Sequence, residues 1–596
     1  MGALVALMKE QITIEDMQFM SQHYFGKEHL VFNHQLIIGP QQLFESANGK
    51  YQLLFNGKIY NKEQLQCQLE KLGLSFETNE EAEVILALYQ IIGLDFISQL
   101  RGMFSLILYD HTMQKIIAAR DRFGIKPLYY FKQDDVLLLT SELRTFKFGS
   151  YQEADLDWQA LGHYFTFQYV PEPMTPLKDV KLLEPGTYLT YQLQEGIKIL
   201  RYQAVEQIPT HYHSNITKEQ LKAVVMETVH EYLQGAKTVG CFLSSGLDST
   251  IITACAKMLK PDLKAFTIGF KEKCSEIKEA AKTADQFGID LVTKQISAAE
   301  FMRHMVEVID FLDTPVADPS SIALYLIAKE AKKHTDIVLS GEGADELFGG
   351  YPIYQEVEAL RGFAHLPLKV KNMLLELIKK IPDGIKGKGY IYRGCTPLGE
   401  RYVGNAFVFN EAEKARLLKF CQEIDPFMRV TAPMYERISH LDNLSQMQTI
   451  DLLTWLRGDI LTKTDRLSVA HGLELRLPFL DEKVFQIAKE LTKEEKITKA
   501  GTKILLREAF YEMVPKHVYE GPKRGYPIPL AGWLRNELYD EAKAILTTPS
   551  CEHLINQQEA LSYLEAHARG RKDYARKVWS IITFIKWYES WNIQTC

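Results

Sequence analysis

Over the first 200 positions, apolar residues alternate with polar ones in short runs, and polar or glycine-bearing turns separate the runs. Residues 51–55, 104–109, 115–119 and 136–141 read as strands, with turns such as Ala47-Asn48-Gly49-Lys50 between them. Helical spacing takes over at 62–71 and 81–90. The opening residues 1–7 are apolar and stop at Lys9-Glu10, which predicts a first strand rather than a signal peptide. The pattern is that of an α+β layered domain. A polar stretch, 206–215, ends this regime. Thr217 and Gln220 then predict a capping box, and Leu221, Val225, Val229 and Tyr232 fall on one face of the helix behind it. From Val239 onward strand and helix alternate. The strands are 239–243, 264–270, 291–296 and 336–339, with crossovers long enough for a parallel sheet. Beyond about Leu360 the spacing is mostly helical. The expected division is 1–205 and 216–596.

Bulk properties narrow the class. At 596 residues the chain exceeds one hydrophobic core. No apolar run approaches about 18 residues, so no membrane span, and no membrane partner, is expected. The net charge of −7 speaks against nucleic acid. Met1-Gly2 opens like a myristoylation signal, but position 6 is Ala6. The eight cysteines form no Cys-x-x-Cys pair, which fits a reducing cytoplasm and gives no zinc or disulfide signal. The basic, aromatic stretch 571–591 reads as a helix that packs Val578, Ile581, Phe584 and Trp587. Oligomeric state is not legible, and a homodimer stays open.

Chemistry concentrates at two turns. Leu243-Ser244-Ser245-Gly246-Leu247-Asp248-Ser249 follows a strand and opens a helix, a setting in which backbone N–H groups converge on an anion. Ser340-Gly341-Glu342-Gly343-Ala344-Asp345-Glu346 also follows a strand. In a parallel sheet both turns sit at the carboxyl edge, where ligands bind. Asp248 and Asp345 there suit Mg²⁺ held against ATP phosphates. Glu342 suits a base or an amine partner, and Lys463 and Lys503 suit the leaving pyrophosphate. Each feature alone is commonly a turn or a solvated side chain; their joint occurrence after strands favours function.

These residues carry a resemblance. Ser244 to Ser249 resembles the pyrophosphate loop of N-type ATP pyrophosphatases. Leu339-Ser340-Gly341-Glu342-Gly343-Ala344-Asp345-Glu346-Leu347-Phe348-Gly349-Gly350-Tyr351 resembles the glutamine-dependent asparagine synthetase family. So do Val316-Ala317-Asp318-Pro319-Ser320, Asp459-Ile460-Leu461-Thr462-Lys463-Thr464-Asp465-Arg466, Leu473-Glu474-Leu475-Arg476-Leu477-Pro478-Phe479-Leu480-Asp481 and Lys523-Arg524-Gly525-Tyr526-Pro527-Ile528-Pro529. The resemblance implies an N-terminal-nucleophile-like glutaminase domain, then an α/β ATP pyrophosphatase domain with a helical C-terminal part. It implies adenylation of a carboxylate by ATP with Mg²⁺, followed by attack of ammonia. Leu243, Ile268, Ser340 and Gly341 would then touch adenine and ribose. Ser244, Ser245, Gly246, Leu247, Asp248 and Ser249 would hold pyrophosphate with Lys463. Asp248 and Asp345 would bind Mg²⁺, Glu342 would position the acceptor or take the amine proton, and Lys503 would stabilise the α-phosphate.

The first domain departs from that family. Family members begin Met-Cys-Gly, and the cysteine attacks glutamine; here Gly2 stands in its place and offers no nucleophile. Cys67 lies in a helical segment and carries no free α-amine. Residues 1–100 contain no arginine to clamp a glutamine carboxylate. Asn-Gly-Glu-Ile-Tyr-Asn has become Asn56-Gly57-Lys58-Ile59-Tyr60-Asn61. Asn56 and Gly57 of an oxyanion hole remain, but Lys58 would repel the glutamine ammonium by something on the order of 1–4 kcal/mol. The family's Ser-Asp has become Glu80-Glu81. No glutaminase activity is expected. By contrast, Arg101-Gly102-Met103-Phe104-Ser105 and Arg120 to Tyr130 stay family-like, as a folded platform would.

Two enzymatic readings follow. One is an ATP-dependent amide synthetase that adenylates aspartate and takes ammonia or an amine, from a separate protein if need be. The other is an amide- or macrolactam-forming cyclase of the lasso-peptide or β-lactam synthetase type, acting on a peptide or natural-product carboxylate. A non-catalytic scaffold is disfavoured by the presence of Asp248, Asp345 and Glu342.

Overall fold

The computed structural model describes residues 4–9, 31–33, 36–40, 43–78, 80–148, 155–205, 214–271, 275–381, 385–420, 424–521 and 528–591. The N-terminal domain holds two antiparallel sheets. One runs in the order β10 (Val180–Leu182), β8 (Tyr129–Gln133), β9 (Val136–Thr140), β1 (Leu4–Met8), β3 (Leu36–Pro40), β2 (Val31–Asn33). The other runs β12 (Gly196–Arg201), β11 (Thr187–Gln192), β7 (Lys115–Arg120), β6 (Gly102–Asp110), β5 (Tyr51–Ile59), β4 (Leu43–Glu45). Strand alternation builds the layers. Leu4, Ala6 and Met8 join Leu54, Ile107 and Ile116 in one core, whereas Val5 and Leu7 join a larger core that continues into the second domain. Helices α1 (Lys62–Lys71) and α2 (Glu81–Ile92) cover the outer face of the second sheet through Leu65, Leu69, Ile85 and Leu88.

Helix α3 (Lys218–Leu233) opens the second domain with the Thr217/Gln220 capping box and buries Leu221, Val225, Val229 and Tyr232. Five parallel strands follow in the order β15 (Asp290–Ile296), β14 (Lys264–Phe270), β13 (Gly240–Phe242), β16 (Ile337–Leu339), β17 (Glu474–Arg476). Strand order reverses about β13, which sets a switch point between β13 and β16 where the loops from their carboxyl ends splay apart. The remainder is helical, and the final helix α4 (Ala575–Trp591) buries Val578, Ile581, Phe584 and Trp587 as the spacing predicts. Gly2, the polar linker at 206–213 and residues 522–527 lie outside the described residues.

The domains are pinned together by ions. The Arg101 guanidinium lies 2.7 Å from Asp481 and 2.5 Å from Glu231, Arg122 lies 3.0 Å from Glu482, and Lys126 lies 2.6 Å from Asp465. The ring of Tyr60 stacks on Tyr232 with centroids 3.5 Å apart.

Candidate active site

The loop after β13 is locked by its own hydroxyls. The Ser244 and Ser249 side chains meet at 2.9 Å, Ser249 Oγ accepts the Ser244 N–H at 3.1 Å, and Ser244 Oγ accepts the Gly246 N–H at 3.1 Å. Gly246 then caps the helix Leu247–Leu259, which places Asp248 in its first turn. Sequence reasoning missed a further partner. Both Glu276 oxygens hold Ser245: one accepts its N–H at 2.6 Å and the other its hydroxyl at 2.7 Å, and Glu276 is buried. A carboxylate one residue into a helix carries no special sequence signal, so only the fold reveals this bond.

The second turn closes on the first. Gly341 has no room for a side chain, since a Cβ there would sit 2.8 Å from the backbone carbon of Asp248 and the nitrogen of Ser249. Gly350 is likewise required: a Cβ would lie 1.8 Å from Asp345 Oδ1 and 2.1 Å from Lys503 Cε. Between these walls Lys503, in left-handed backbone at φ +56°, points its ammonium between two carboxylates. It lies 2.5 Å from Asp248 Oδ1 and 2.5 Å from Asp345 Oδ1. Residues from three distant stretches thus share one charge cluster. An ammonium seated between two hard oxygens occupies the kind of place a divalent cation takes, so Asp248 and Asp345 are the residues that would hold Mg²⁺ if it binds here. Glu342 is half-buried on the same turn, Ile268 and Leu243 are buried, and the Ser340 N–H donates to the Arg476 carbonyl at 3.0 Å.

Lys463 stands in a different cluster. Its ammonium contacts Asp318, donates to Asp459 at 2.8 Å and reaches Ser320 Oγ at 3.0 Å. Its described bonds go to this acidic pair and to Ser320, none of them in the Ser244–Ser249 loop. The two carboxylates hold the Lys463 ammonium well above its ordinary pKa despite burial, and the same lysine holds Asp318 below the usual carboxylate range. Asp459 also accepts from Gln168 Nε2 at 2.9 Å, and Gln168 Oε1 accepts from Arg576 at 2.7 Å. Gln168 and Arg576 were invisible in the sequence, because they come from the end of the first domain and from α4.

Behind the second turn lies a buried polar layer. Burial, with Asp345 nearby, pushes the Glu346 carboxyl up to about 8, and the Tyr351 hydroxyl donates to it at 2.6 Å. Burial pushes Asp451 up to about 7, although Tyr354 and Tyr402 both donate to it. Gln448 ties this layer to the turn by donating to the Glu346 carbonyl at 2.6 Å.

In the first domain, Lys58 on β5 forms an ion pair with Glu81 at the start of α2. These two opposite charges therefore satisfy each other.

The asparagine synthase family matches residues 220–589, and the glutamine amidotransferase domain family matches 22–203. The chain belongs to the asparagine synthase family. It is 37% identical to asparagine synthetase [glutamine-hydrolyzing] 1 of Bacillus subtilis, over 96% of this chain and 92% of that one. It is 38% identical to a putative asparagine synthetase [glutamine-hydrolyzing] of Mycobacterium bovis, over 91% of this chain and 85% of that one. This asparagine synthetase homologue is an ATP-dependent carbon–nitrogen ligase that forms AMP and pyrophosphate.

Proposed function

We propose that this ligase adenylates a small carboxylate, aspartate foremost, and receives its nitrogen as ammonia or an amine made elsewhere. The observation that carries the reading is Lys503 held between Asp248 and Asp345 beside the Ser244–Ser249 loop. An acceptor carboxylate oxygen attacks the α-phosphorus of ATP. The new O–P bond forms as the bond from that phosphorus to the bridging oxygen breaks, and pyrophosphate leaves toward the N-terminus of the helix Leu247–Leu259. Lys503 turns its charge toward the phosphates. Bound Mg²⁺ would neutralise phosphate charge. The amine nitrogen then attacks the acyl carbon, AMP departs, and Glu342 accepts the amine proton. Lys463, with Asp318 and Asp459 around it, is assigned to the acceptor side rather than to pyrophosphate.

The first domain is proposed to lack glutaminase chemistry. Gly2 offers no nucleophile, and Lys58, paired with Glu81, puts a cation where the resemblance implies a glutamate for the glutamine ammonium. The stretches that remained family-like supply Arg101, Arg122 and Lys126 to the domain interface. Selection on a platform accounts for that pattern.

The test measures pyrophosphate and amide products with ATP, aspartate and either ammonium or glutamine. Ammonium should support asparagine formation, glutamine should yield no glutamate, and Asp248→Ala should abolish pyrophosphate release. Steady glutamate release from glutamine would overturn the inactive first domain. Pyrophosphate release that ignores aspartate would move the acceptor to another carboxylate, as in a cyclase.

A further inference from the structure

The stretch 361–401 differs in character from the rest of the chain. It carries nine lysines and arginines against three acidic residues, within a molecule of net charge −7. Six of the eighteen large apolar or aromatic side chains exposed among the described residues also lie here: Leu368, Met373, Leu377, Ile385, Tyr390 and Tyr392. Leu368 is 69% exposed, Met373 57% and Leu377 52%. The helix Leu368–Lys379 packs against the helix Lys388–Cys395, and between them runs a groove of about 850 Å³ lined by Leu375, Ile378, Ile385 and Tyr392.

On the first of these helices, Lys369, Met373, Leu377 and the capping Lys380 fall at spacings of three and four residues and so share one face. That face is exposed and mixes apolar tips with ammonium groups. Arg393 and Arg401 are paired with Glu356, so they are spent within the fold. Lys379 pairs with Glu376 on the flank. Lys369 and Lys380 remain beside Met373 and Leu377.

We propose that this helical hairpin rests on an anionic lipid surface. A bilayer interface offers negative headgroups and an apolar boundary in the same plane, and a basic helix with exposed apolar tips meets both requirements at once. A second copy of the chain offers the opposite: pairing this patch with itself brings two positive excesses together. The absence of a membrane span does not bear on the matter, since the hairpin would lie in the interface rather than cross it. Such docking leaves the site at Asp248, Asp345 and Lys503 unchanged and is independent of which carboxylate that site adenylates.

The experiment sediments the full chain with vesicles of phosphatidylcholine mixed with phosphatidylglycerol, and with phosphatidylcholine alone. The protein should pellet only with the anionic vesicles and be released by salt. Lys369→Glu combined with Lys380→Glu should lower the bound fraction by about tenfold or more. Met373→Ser combined with Leu377→Ser should lower it as well, and both double variants should keep ATP-dependent pyrophosphate release. No binding to anionic vesicles overturns the proposal, and so does binding that both variants leave intact. A wild-type oligomer that the variants dissociate on gel filtration assigns the face to a second copy and also overturns it.

Discussion

At the residue scale, the site depends on side chains that hold other side chains. Glu276 holds Ser245 through both oxygens and so fixes the loop that is proposed to receive pyrophosphate. Glu276→Ala removes both charge-assisted hydrogen bonds to Ser245 and should raise the KM for ATP by about tenfold or more, with a smaller change in kcat. Glu276→Gln keeps an acceptor for the Ser245 N–H and should recover part of the loss. Equal losses in both variants, or an unchanged KM, would refute the holding role. The candidate residues that the structure brings together were legible in the chain: Asp248 and Asp345 stand on glycine-bearing turns after strands, Glu342 shares the second turn, and Lys503 reads as a cation for the leaving pyrophosphate. The residues that support them were not. Glu276, Gln168 and Arg576 are ordinary in their local surroundings, and only tertiary folding gives them partners.

At the element scale, periodicity was reliable where an element is long and one-sided. Residues 62–71 and 264–270 form the predicted helix and strand end for end. It failed for β17, a strand of three residues whose parallel partner β16 lies far away in sequence. Three residues cannot display a period, and the burial that selects them as strand comes from Leu339 and its neighbours. Helix α4 shows the opposite case, in which an apolar stripe is both visible and decisive. Trp587 is fully buried in it, and its indole N–H donates to the Asp313 carbonyl at 3.0 Å. Trp587→Ala should destabilise the protein by about 3–5 kcal/mol in urea denaturation, because the cavity and the orphaned carbonyl add to the lost apolar burial. A shift below about 1 kcal/mol would show that α4 is not part of the common core.

At the scale of the whole molecule, buried carboxyls set a pH dependence. Glu346 is raised to about 8 and Asp451 to about 7, against roughly 4 in an unfolded chain. The native state therefore keeps protons that the unfolded chain has released. The associated stability is complete below about pH 4 and is lost as pH rises through 7 and 8. Each group contributes at most about 1.4 kcal/mol per pH unit across its window. Glu346→Gln should flatten the fall in the urea midpoint between about pH 5 and 8. A variant whose midpoint falls as steeply as the parent would remove Glu346 from this account.

The chain of bonds from Gln168 through Asp459 to Lys463, and from Gln168 to Arg576, has a consequence for the history of the gene. One amide side chain, contributed by the end of the first domain, braces a carboxylate of the second and an arginine in the first turn of the last helix. A gene that shed its first third would lose that brace along with the ions at Arg101 and Lys126. Whatever chemistry the first domain keeps, the ligase has made that domain part of its wall. Deletion is closed as an evolutionary route even if, as proposed, the domain's own reaction has decayed.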